Sequence, residues 1–67
     1  MKPVFFTGIK GELLVVNRDL ITFAEEDLTK RYADYGATTI VHGIGYSLFV
    51  RESLNDVYNI LKYNKGD

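Results

Sequence analysis

At 67 residues, with 46% hydrophobic and 25% charged side chains, the chain has the composition of one small globular domain (residues 1–67), not of a disordered segment. Its formal net charge of -1, with both signs interspersed, excludes the strongly basic field that gathers nucleic acid non-specifically. There is no cysteine and only 1 histidine, which excludes a disulfide framework, a thiolate metal site and a multi-histidine zinc site; no metal or cofactor is expected.

The apolar runs fall far short of a bilayer span of about 20 residues. The start, MKPVFF, is followed at once by polar residues, unlike a secretory signal. A cytoplasmic protein with no membrane partner is the expectation.

The first predicted unit is a hairpin in VFFTGIKGELLVV, with strands over Val4–Thr7 and Glu12–Val16 punctuated by Gly8, Lys10 and Gly11. Phe5 and Phe6 are adjacent on a strand and must point to opposite faces, and Leu13/Leu14 and Val15/Val16 repeat the pattern. Asn17 and Asp19 then turn the chain through bonds to local backbone. Leu20–Glu25 alternates, with Ile21 and Phe23 facing one way and Thr22 and Ala24 the other, which predicts a third strand.

Residues 26–37 read as a long loop or an irregular short helix. Leu28, Tyr32 and Tyr35 stand at helical spacing, while Asp34, Tyr35 and Gly36 have turn chemistry. Thr38–His42 and Tyr46–Arg51 are the last predicted strands, separated by Gly43-Ile44-Gly45. Ser53 is placed to cap a helix, with Asp56 at the capping-box position. Leu54, Val57, Tyr58 and Leu61 form its apolar stripe. Lys62 and Lys65 suit its carboxyl end, and Asn64 and Gly66 offer a stop. The expected fold is α+β: a small antiparallel sheet of four or five strands with one C-terminal helix packed on it.

Four stretches invite a functional reading. Gly43-x-Gly45 resembles a fragment of a phosphate-binding loop, but a strand follows it where such a loop needs a helix, so a hairpin turn is expected. His42 would need a nucleophile and an orienting acid to act as a base. Ser47 is placed to face it across the hairpin, no Asp or Glu adjoins either, and a half-exposed strand histidine is expected. Glu25-Glu26-Asp27 lacks the alternating oxygens of a calcium loop and reads as a solvated turn. In KRYADY, Lys30, Arg31, Tyr32 and Tyr35 combine cations with rings able to stack on unpaired bases. Glu25, Glu26, Asp27 and Asp34 flank and offset that charge.

The segments GELLVVNRDLITFAEE and TTIVHGIGYSLFVRESLNDVYNIL together resemble the FlbD family of small flagellar regulatory proteins. The matching residues are Asn17, Asp19, Leu20, Ile21, Thr39, Val50, Glu52, Ser53 and Val57. The resemblance runs from Gly11 to about Leu61 and departs from the family in the longer stretch Asp27–Ala37 and at Arg18, where proline is common. It implies a strand–turn–strand–hairpin–helix fold and a regulatory role, and it carries over no catalytic residue.

The function expected is a non-enzymatic regulatory or protein-interaction module acting on another protein. The alternative is a nucleic-acid-binding regulator using Lys30–Tyr35. An enzyme is not expected, since no acid, base and nucleophile assemble from the sequence. A homodimer is expected as well: strands carrying Phe5 and Phe6 on opposite faces ask for cover on both, and one helix covers only one.

Overall fold

The computed structural model describes residues 2–63. The chain runs β1 (Pro3–Thr7), β2 (Leu13–Asn17), a 3-10 turn (Arg18–Leu20), β3 (Ile21–Glu26), a second 3-10 turn (Ala33–Tyr35), β4 (Thr39–Gly43), β5 (Tyr46–Val50) and α1 (Leu54–Tyr63). The class is α+β, as expected, but the single sheet of four or five strands is corrected. β1 and β2 form one antiparallel sheet, and β3-β4-β5 form a second.

What joins the sheets is not a continuous ladder. The N–H of Arg51, just past β5, donates to the Thr7 carbonyl at the end of β1 (2.9 Å). The Glu52 carboxylate then takes the Thr7 N–H that a further strand would otherwise have bonded. A side chain thus stands in for part of a ladder, which residue periodicity does not reveal.

The core lies between the two sheets and the helix. Val4, Phe6, Val16, Val41, Val50 and Val57 are buried there, with Leu14, Leu48 and Ile60 among the partly buried residues packed against them. Alternation along β1 sends Phe6 inward (1% exposed) and leaves Phe5 outside (51% exposed). Alternation fails in β3. Ile21 pairs with Gly43 and Phe23 with His42, so Thr22 is an extra residue that bulges the strand. Ile21 and Phe23, expected on one face, therefore part: Ile21 packs against the core and Phe23 faces out.

Local bonds account for the turns. Asn17 Oδ1 accepts from the Asp19 N–H (3.1 Å), as its turn chemistry predicts. Ile44-Gly45 is the loop between β4 and β5, and the positive φ falls on Gly45 (84°), its second residue. Gly43 is glycine for a different reason: a β-carbon there would overlap the Tyr46 ring. Ser53 caps α1, its Oγ accepting from the Asp56 N–H (3.1 Å). Of the expected helix stripe, Val57 is fully buried, whereas Leu54 and Tyr58 are exposed beside it. The expected stop at Asn64 and Gly66, and the Lys65 cation, lie outside the described residues.

Candidate functional site

His42 lies on the outward face of the second sheet. In the β4–β5 register it stands opposite Ser47. Across β3 it stands opposite Phe23, one strand repeat from Glu25. The geometry follows: His42 Nδ1 is 2.9 Å from Ser47 Oγ and Nε2 is 2.7 Å from Glu25 Oε2. The Phe23 ring stacks on the imidazole at 4.3 Å and 19°. An ionised carboxylate only accepts, so Nε2 carries the proton facing Glu25; in the neutral ring Nδ1 then accepts from the Ser47 hydroxyl, and in the imidazolium it donates to it.

This corrects the expectation that no acid adjoins the histidine. Glu25 was hidden because its approach is diagonal across a bulged pairing, 17 residues away in sequence. The order serine–histidine–glutamate is that of a nucleophile relay, but the Glu25 side chain is 52% exposed, against 23% for His42. Its attraction is screened there, and the bonds hold three neighbouring strands in register.

The acidic run has three fates. Glu25 binds His42 and Glu26 is exposed, but Asp27 is buried, not solvated as expected. Asp27 Oδ1 accepts from the Thr29 hydroxyl (2.5 Å) and N–H (3.0 Å). The Thr29 hydroxyl, with backbone N–H groups of Thr29, Arg31 and Lys30, holds the Asp27 carboxyl below its ordinary value against the opposing effect of burial. This clip shapes the start of the 26–37 loop, where Lys30 adopts φ 56°, a left-handed conformation unusual for a residue with a side chain. Among the described residues, no three His, Asp or Glu side chains converge as metal ligands would.

The structure brings the predicted basic–aromatic residues together. Tyr32 meets Phe49 edge-on at 4.8 Å and Tyr35 at 6.4 Å, and the Arg31 guanidinium lies 5.6 Å from the Tyr32 ring centre. Lys30 and Arg31 are exposed. Arg51 pins the same loop from below, donating to the Tyr35 carbonyl (2.8 Å) and to the Ile9 carbonyl of the β1–β2 loop (3.1 Å).

The two phenylalanines are separated, with Phe6 in the core and Phe5 on the surface. Phe5 is not alone there. It pairs with Val15, and Leu13 lies one repeat further along the same outer face. Val15 is 55% exposed and Leu13 is 68% exposed. Leu13 and Val15 were legible only as halves of two-faced pairs; which half faces out depends on where the helix lies.

A second apolar surface, a groove of about 500 Å³, runs between α1 and β3, lined by Ala24, Leu54, Val57, Tyr58 and Leu61 with Asn55. Among the described residues, no helix is long and apolar enough to cross a membrane. Comparison with family models, with curated proteins and with solved structures found no match.

Proposed function

We propose that the chain is a small, non-enzymatic protein-interaction module of the cytoplasm that pairs with a second copy of itself through the outer face of the β1–β2 hairpin. The observation that carries this reading is the exposure of Phe5, Leu13 and Val15 as one contiguous cross-strand cluster. Covering such side chains gains roughly 25 cal/mol per Å² of apolar area, set against the entropy of association. A two-fold pairing of the same face on each copy is the simplest closed arrangement.

A regulatory role like that of the FlbD family belongs to the same reading. Most of the matched residues hold the fold in this chain. Asn17 and Ser53 close turns and caps, Glu52 bonds Thr7, and Val50, Val57 and Thr39 are buried.

Sedimentation equilibrium at micromolar concentration tests the proposal. A dimer mass is expected for the native chain, and a monomer mass for Phe5→Thr combined with Val15→Thr, which keep strand propensity while removing apolar area. A native chain that sediments as a monomer overturns it.

One observation favours a second reading, nucleic-acid binding. Arg31 lies over the Tyr32 ring, which meets Phe49 edge-on, beside exposed Lys30. Fluorescence titration with single-stranded RNA and DNA across salt concentrations separates the two. Micromolar binding whose salt slope drops by about two on joint Lys30→Ala and Arg31→Ala substitution would put this reading first.

A further inference from the structure

We propose that the open edge of β5 is a strand-addition site, taking an extended segment of a partner protein into the seam between β5 and β2. The proposal rests on reading the chain as an interaction module and uses the edge of β5, which shares Val15 with the hairpin face.

Backbone register sets which groups the edge offers. With Ile44-Gly45 as a two-residue loop, Gly43 and Tyr46 exchange both hydrogen bonds across the hairpin. The pairs His42–Ser47 and Ile40–Phe49 are then the non-bonded ones, so the N–H and C=O of Ser47 and Phe49 point away from β4.

The same logic applies to the other sheet. Thr7 bonds Glu52 through its N–H and Arg51 through its carbonyl, so it turns its backbone away from β2. Its partner Leu13, and Val15 one repeat on, accordingly turn theirs away from β1. Among the described residues, the outward backbone groups of Leu13 and Val15 on β2 and of Ser47 and Phe49 on β5 therefore have no strand partner.

The outward N–H of Arg51, next in the alternation after Phe49, is taken by the Thr7 carbonyl, and short of that point β5 borders a seam with β2 and the β1–β2 loop. A cavity of about 190 Å³ is lined by Leu14 of β2 together with Ser47, Leu48 and Phe49 of β5. Another, of about 240 Å³, is lined by Val15 and Val16 of β2 with Tyr46 and Leu48 of β5. Successive strand residues point to opposite faces, so a space that touches Ser47, Leu48 and Phe49 alike lies along the edge of β5, not on a face. Tyr46, on the same seam, carries a buried hydroxyl with no hydrogen-bond partner among the described residues.

The occupant is defined by this chemistry. Donors and acceptors that recur every second residue match the backbone of an extended chain. β5 is about 17 Å long, which accommodates about five residues of such a chain. The walls supplied by Leu14, Val16 and Leu48 ask for apolar side chains at alternate positions of the occupant. Among the described residues, Glu12 is the one charged side chain lining either cavity, so a lysine or arginine belongs at that end.

The test is selection of phage-displayed random peptides on the full chain, followed by titration of the enriched peptides into isotope-labelled protein. Enriched sequences are expected to alternate apolar and polar residues with a basic residue at one end, and to slow amide exchange at Ser47 and Phe49. Ser47→Pro deletes an outward N–H while sparing the bonds to β4, and should weaken binding by about tenfold or more. Ser47→Ala, which keeps that N–H, should leave binding unchanged.

No enrichment overturns the proposal. So do peptides that leave the Ser47 and Phe49 amides unperturbed, or Ser47 and Phe49 amides already protected in the free chain by a second copy. The mass of the free chain in sedimentation reports separately on the hairpin face, so either reading can fail alone.

Discussion

Glu52 reaches back 45 residues to Thr7 and bonds it three times: both carboxylate oxygens accept from the Thr7 N–H (2.9 and 3.1 Å), and the Thr7 hydroxyl donates to Oε2 (2.9 Å). The Glu52 carbonyl is used as well, accepting from the hydroxyls of Thr39 (2.7 Å) and Thr38 (3.0 Å). One residue thus links the first sheet, the second sheet and the approach to α1. Hydrogen bonds to a charged group are each worth about 1.5–3 kcal/mol, and removing the acceptor leaves the Thr7 N–H unpaired. Glu52→Ala is expected to cost about 2–3 kcal/mol. In a domain of this size each kcal/mol lowers the melting temperature by about 4–8 °C. Glu52→Gln, which retains one acceptor, should cost clearly less. Thermal melts of the two variants check this, and equal, negligible losses would mean that the sheets are joined by other contacts.

Asp27 predicts an acid dependence. Its carboxyl is held below the ordinary value of 3.8, chiefly by the Thr29 hydroxyl. The folded state therefore binds the proton more weakly than the unfolded state does. The resulting stabilisation is complete above the unfolded value and is lost as pH falls through the lower folded value. Asp27→Asn removes the charge at every pH. The difference in urea midpoint between native chain and variant should shrink on acidification below about pH 4. A difference that stays constant across that range would show that the Asp27–Thr29 clip contributes no proton-linked stability.

Gly43 and Gly45 are expected to fail differently. At Gly45 a β-carbon meets open space, and the only penalty is the positive φ of 84°. Gly45→Ala should cost about 1–2 kcal/mol, and Gly45→Asn should recover part of it, because asparagine tolerates this conformation. At Gly43 the obstacle is the Tyr46 ring, which lies where the β-carbon would stand. Gly43→Ala should be destabilising alone and largely rescued by Tyr46→Ser, a coupling that a double-mutant cycle measures. Independent, additive losses would place the cost in the backbone instead.

Those two glycines also show what the sequence could and could not reveal. Turn residues act on their nearest neighbours, so Gly45, Asn17 and the Ser53 cap are legible one at a time. The division into two sheets is not, because it depends on Glu52 substituting for strand bonds at Thr7 and on the bulge at Thr22. Periodicity assigned Ile21 and Phe23 to one face, and a single inserted residue separated them. The exposure of Leu54 and Tyr58 was hidden for a related reason. Helical spacing marks an apolar stripe, but how much of it is covered depends on the width of the sheet beneath. The His42 cluster needed both the bulge and the register, and neither is a local property.

The His42 cluster supplies the last prediction. A serine hydroxyl facing an imidazole lone pair, with a carboxylate on the far nitrogen, is the arrangement that activates serine in acyl transfer. In this chain the two bonds use exchanged ring nitrogens, Nδ1 toward Ser47 and Nε2 toward Glu25, and lie on a sheet face, where cross-strand side-chain pairs contribute about 0.2–1 kcal/mol each. The reading as a strand-register device predicts that His42→Ala costs about 1 kcal/mol, including the lost stack on Phe23. Ser47→Ala should cost less. It also predicts that Ser47 is not alkylated by a fluorophosphonate faster than an ordinary exposed serine. Intact-mass measurement after incubation with the probe decides the matter, with Ser47→Ala as the blank. Rapid single-site labelling that disappears in His42→Ala and falls in Glu25→Gln, with folding preserved in both, would establish a working nucleophile and replace the non-enzymatic reading. Stoichiometric inertness, together with the small losses of stability, leaves the cluster as a clasp across β3, β4 and β5.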